Sequence, residues 1–100
     1  MKTLIAVYKV KKEHVETVKK AIFSYVKEIK EKEPDTILYE AYQQNDSITF
    51  FHIMDFKDAE AEQGHRDAAH TKKFVKKVYP LCDEEPVFTD LTLLASNRDQ

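Results

Sequence analysis

"TILYEAYQQNDSITFFHIMDF", residues 36–56, decides the fold. Two runs rich in β-branched and aromatic residues, 36–44 and 47–56, flank the turn dipeptide Asn45-Asp46, which predicts an antiparallel hairpin. In the second run Ile48, Phe50, Met54 and Phe56 fall on one side, while Phe51 and Ile53 fall on the other. Both sides of this strand are therefore apolar. A sheet covered on one face should instead alternate apolar and polar residues.

Working outward, "TLIAVYKV" (3–10) reads as a strand. From Lys12 to Glu33 the apolar residues Val15, Val18, Ile22, Tyr25, Val26 and Ile29 form a helical stripe. Pro34 ends that helix, because its ring disfavours helical backbone at Glu33. Beyond the hairpin, Asp58 is placed to cap a second helix, with Glu60 and Glu62 at the positive end of its dipole. That helix passes through "GHRDAAH" (64–70), with a kink near Gly64 or Ala69, and continues through Phe74, Val75, Val78 and Tyr79 to Pro80. "PVFTDLTLLA" (86–95) is a last strand, and it too is apolar on both sides: Val87, Leu91 and Leu93 against Phe88 and Leu94. Residues 1–95 thus form one domain, and 96–100 are a polar tail.

The order β-α-β-β-α-β predicts an α+β, ferredoxin-like fold: a four-stranded antiparallel sheet with helices on one face. Two helical segments cannot cover both faces. The economical cover for the other is a second copy, so a homodimer joined through its sheet faces is expected.

Composition narrows the function. The formal net charge is −2, so no overall field favours nucleic acid or an anionic membrane. The lone Cys82 excludes an internal disulfide and fits a reducing compartment. The N-terminal apolar run is short and broken by Lys9, Lys11 and Lys12, unlike a signal peptide or a span, and a cytoplasmic protein is expected. One glycine in the chain leaves no phosphate-cradling loop.

Histidines carry what chemistry remains. His65 and His70 lie five residues apart, about 140° around a continuous helix, whereas a chelate on one helix wants a spacing of four. No metal site is expected from them. Two readings of His65 stand: a proton carrier facing a pocket, or a half-buried imidazole bonded to a backbone carbonyl. For His70 two readings also stand: it marks the bend and caps backbone groups, or it takes part in catalysis beside the pocket. His52 shares a strand face with Phe50, Met54 and Phe56 and is the second candidate base. His14 opens the first helix and is solvated. Phe50, Phe56 and Phe74, with Tyr8 or Tyr39, could line a flat apolar slot.

Residues 33–44 with 48–74 resemble the antibiotic biosynthesis monooxygenase family of dimeric α+β barrels, and the likeness spans roughly residues 1–95. Its core here is Phe56, the Asp58–Ala61 helix start, His65, His70 and Phe74. The haem-degrading branch uses an asparagine, a tryptophan and a histidine where this chain has Ala6, His65 and Val75, so the likeness points away from haem. The histidine pair is closer to the quinol and autoinducer-2 branches, although their third-strand Glu-x-aromatic reads Met54-x-Phe56 here. The resemblance implies O₂-dependent oxidation of a small planar electron-rich substrate such as a quinol, without a cofactor. His65 or His52 would be the base, and Phe50, Met54, Phe56, Phe74, Tyr39 and His70 would surround the substrate. It also admits an isomerase or lyase of a small carbonyl compound. The alternative of a different class is a non-catalytic ligand-binding or dimerisation module.

Overall fold

The computed structural model describes residues 1–98; the last two residues of the expected tail, Asp99 and Gln100, lie outside them. The elements are β1 (Lys2–Lys9), α1 (Val15–Lys32), β2 (Thr36–Gln43), β3 (Thr49–Phe56), α2 (Ala59–Asp67), α3 (Ala69–Val78) and β4 (Val87–Leu91). Short 3₁₀ turns precede α1 and follow α3. The strands pair antiparallel in the order β2-β3-β1-β4, the ferredoxin-like arrangement expected from the element order. Among the described residues no helix is long and apolar enough to cross a membrane.

Each departure from the sequence reading has a local cause. The hairpin's second strand begins at Thr49 rather than 47, because Asp46 folds its carboxylate over the turn. It accepts from the amides of Ile48 and Thr49 at 3.0 and 2.9 Å and from the Thr49 hydroxyl at 2.6 Å. Ser47 takes the left-handed conformation that this turn needs, at φ 68°. The last strand stops at Leu91 instead of Ala95. Leu91 already pairs with Thr3, and β1 offers almost no chain beyond it. The kink falls at Ala68, whose extended backbone (φ −63°, ψ 143°) divides the second helical segment into α2 and α3.

The helices pack on one face of the sheet. Val18, Ile22, Tyr25 and Ile29 of α1 join Phe74 and Val78 of α3 over Tyr8, Val10 and Phe50. A second cluster, Leu4, Ala6, Met54 and Phe56, continues the core along the sheet. Burying an aliphatic or aromatic side chain of this kind contributes roughly 1.5–3 kcal/mol. The opposite face keeps Ile5, Val7, Phe51 and Ile53 only half-buried, and Tyr42, Val87 and Leu91 are exposed.

Candidate functional site

Between the helices and the covered face of the sheet lies a cavity of about 380 Å³. Its floor is apolar: Leu4 and Ala6 of β1, Met54 and Phe56 of β3 and Phe88 of β4. Phe74 and Val75 close it from α3, and Glu62 and Arg66 of α2 line it as well. The polar groups facing this space are two histidines, several tyrosines, Thr71 and the paired Glu62 and Arg66.

His52 stands on β3 between Ala6 and Ala41, its small partners on the neighbouring strands, which leave room for the ring. Tyr8 bonds its Nε2 and Tyr39 its Nδ1, each at 2.7 Å. Burial lowers its pKa to about 4, with a smaller contribution from His65. The imidazole is neutral at pH 7 with both nitrogens occupied. Burial likewise raises the Tyr8 and Tyr39 phenols well above their usual value.

His65 sits on α2 with a different backing. Its Nε2 is 3.0 Å from the Tyr25 hydroxyl, while its Nδ1 lies 2.9 and 3.0 Å from the two carboxylate oxygens of Glu33. The second of the two readings, a backbone carbonyl partner, is not what the structure holds. Glu33 owes its position to the following proline. Pro34 pushes it out of helical conformation (φ −123°, ψ 78°), and the carboxylate leaves the end of α1 toward α2 and α3. Thr36 donates to Glu33 at 2.6 Å, and His70 Nε2 contacts the other carboxylate oxygen. Partial burial works to raise the Glu33 pKa, but the hydrogen bonds from His65, Thr36 and His70 outweigh it and hold the carboxyl at about 2. Tyr25 stacks on Phe74, with centroids 4.2 Å apart, and burial pushes its phenol up to about 12.

Of the residues singled out from the sequence, His65, His52, Met54, Phe56, Phe74 and Tyr39 meet around the cavity. Phe50 lies in the core instead, stacked on Tyr8, and is not part of the lining. His70 is not part of it either: it faces an outer cleft and binds a carboxylate, not the backbone groups expected of it. Side chains five residues apart diverge only on a continuous helix. The break at Ala68 turns His70 back, so that His65 and His70 converge on Glu33. The spacing therefore does not exclude a shared ligand set.

Tyr25 and Glu33 were not singled out from sequence. Tyr25 occupies an ordinary place in the apolar stripe of α1, and Glu33 is one acidic residue in a charged helix end. The one available signal was Glu33-Pro34, where a helix must release a carboxylate.

A family model, antibiotic biosynthesis monooxygenase, matches residues 1–77, which carries it to the end of α3. No curated protein matches the sequence. Solved structures are similar throughout. One described as an antibiotic biosynthesis monooxygenase is 18% identical, with a TM-score of 0.88 over 95% of this chain and 100% of that one. A protein from Mycobacterium tuberculosis is 15% identical, with a TM-score of 0.87 over 97% of this chain and 98% of that one. A protein from Pseudomonas aeruginosa is 24% identical, with a TM-score of 0.84 over 94% of both chains. At these identities the likeness is one of fold.

Proposed function

The chain belongs to the antibiotic biosynthesis monooxygenase family, and from that premise we propose that it oxidises a small, planar, electron-rich substrate such as a quinol with O₂. A deprotonated quinol can reduce O₂ itself. One oxygen atom enters the ring, the other leaves as water, and the product is a hydroxylated quinone. The protein's part is to bind the ring, exclude water and take a proton.

The observation that carries this reading is the Glu33–His65 pair at the cavity wall. A carboxylate accepting from Nδ1 fixes the tautomer that leaves Nε2 free to accept a proton, and it stabilises the imidazolium that results. Substrate would reach Nε2 directly or through the Tyr25 hydroxyl, which bonds it at 3.0 Å. His52, neutral and held by two phenols, is better suited to fixing the substrate's polar edge. Phe56, Met54 and Phe74 supply the slot. The apolar sheet face away from the helices supports a homodimer formed through it, which sedimentation at micromolar concentration should report as about twice the monomer mass. We place the enzyme in the cytoplasm, in keeping with its single cysteine.

Oxygen uptake with a panel of quinols tests the reading. Wild type should consume O₂ above the uncatalysed rate, and Glu33→Gln should lower turnover with little change in KM, since Glu33 acts through His65. Loss of binding with unchanged turnover would count against the pair. A second reading, a ligand-binding module without chemistry, draws on Met54, a buried thioether where the resembled branches carry a carboxylate. It prevails if every quinol binds and none is consumed.

A further inference from the structure

We propose that Glu33, His65 and His70 form a binding site for a divalent transition-metal ion that enters from the outside of the molecule, opposite the substrate cavity. One ligand atom from each lies within 4.8 Å of the others, and three different elements supply them: the end of α1, α2 and α3. Their side chains are 10%, 8% and 6% exposed. His65 Nδ1 is 2.9 and 3.0 Å from the carboxylate oxygens. Two ligands on a tetrahedral ion with bonds of about 2.1 Å are separated by ~3.4 Å, so an ion is accommodated once the hydrogen-bonded pair parts by about half an ångström.

Two of the three ligands also have an outer partner to hold them. Tyr25 occupies the far nitrogen of His65, which leaves Nδ1 for the cluster. Thr36 secures Glu33 at 2.6 Å. All three ligands border a second cavity of about 440 Å³ that is separate from the substrate cavity in all but His65. It offers an entry path and room for water to complete the coordination. Two imidazoles with one carboxylate suit Zn²⁺ and its first-row neighbours, whereas Mg²⁺ and Ca²⁺ require oxygen ligands.

Occupancy has a consequence for catalysis, which rests on the reading of His65 as the base. An imidazole bound to metal through Nδ1 carries its proton on Nε2 and donates it to Tyr25. It can no longer accept one from substrate. The ion is therefore an off-switch, reached from outside while the substrate cavity stays open.

Calorimetry with Zn²⁺ on chelator-treated protein, and visible spectroscopy with Co²⁺, test the site. Wild type should bind one ion per chain, with intense d–d bands for Co²⁺. His70→Gln and Glu33→Gln should each weaken binding by more than about 100-fold, since lost outer partners alone cost roughly 10–100-fold. Circular dichroism and urea midpoints identify a variant that has failed to fold. For such a variant, X-ray absorption of the wild-type Zn²⁺ complex substitutes, with two imidazoles and a carboxylate expected. No saturable binding, or binding that both folded variants retain, overturns the site. The switch is read as the ratio of quinol turnover with and without Zn²⁺ within each protein. The ratio should fall in wild type and stay near one in His70→Gln. Zn²⁺ bound at this cluster without inhibition overturns the switch. Zn²⁺ bound in a wild type that oxidises no quinol leaves the site standing and removes the base reading.

Discussion

His52 and His65 face the same cavity and differ in what stands behind the ring. His52 rises from the middle of a strand, is 1% exposed and has two phenols as its hydrogen-bond partners. His65 comes from a short helix and has a carboxylate on its far nitrogen. Burial without a charge makes the first a poor base. The second, also buried, has a carboxylate beside it to meet the charge its ring would take up in the proposed role. Proximity to the pocket does not separate the two; the group behind the ring does.

The largest effect that could break this contrast is on turnover. His65→Gln keeps size and hydrogen bonding but cannot accept a proton, so turnover should fall by roughly 10²–10⁴-fold. His52→Gln should mainly raise KM. Steady-state oxygen uptake by the two variants decides it, and the reverse pattern would transfer the role of base to His52.

The second effect is on acid stability. His52 holds a folded pKa of about 4, below the 6.5 of a free imidazole. Between these values the unfolded chain binds a proton that the folded chain refuses, so the stabilisation is present above pH 6.5 and lost as pH falls toward 4. Its size is roughly 3 kcal/mol, at 1.36 kcal/mol per unit. Urea titrations from pH 7 to pH 4 should show this loss in wild type and a flatter slope in His52→Gln. Equal slopes would mean that the ring is charged in the folded protein.

Tyr39→Phe sharpens the contrast at smaller scale. It leaves the buried Nδ1 of His52 without a partner, at a cost of about 1–3 kcal/mol. Tyr42→Phe on the same strand loses only an exposed contact with Glu40 and should be nearly neutral in thermal unfolding. The smallest effect lies where the helix carrying His65 begins. Asp58 accepts from the Ala61 amide at 2.8 Å, and Asp58→Ala should lower stability by about 1 kcal/mol, read from the urea midpoint. A larger drop in turnover than in stability would show that α2 must be held firmly for His65 to work.

Much of the architecture was legible in the chain because it follows local rules. Runs of β-branched and aromatic residues identified the strands, and period-3.6 patterning identified the helices. Asn45-Asp46, Pro34 and Pro80 marked the ends, and Asp58 was recognisable as a cap. On the even-numbered face of β3, His52, Met54 and Phe56 line the cavity while Phe50 joins the core. Element order then led to the strand order, because short connections leave few topologies.

What only the tertiary structure decided is how residues distant in sequence combine. Glu33 and His65 are 32 positions apart and Tyr8 and His52 are 44 apart, and neither pairing leaves a periodic trace. Their contact depends on where one helix stops and another breaks. Pro34 made the stop readable. The break at Ala68 was not, because a single residue's change of ψ leaves composition and hydrophobic spacing almost untouched while redirecting every side chain after it. The sequence by itself determined which histidines were available and which strand face they share. The packing of α1 against α2 and α3 determined which of them received a carboxylate, the feature on which the proposed role of His65 rests.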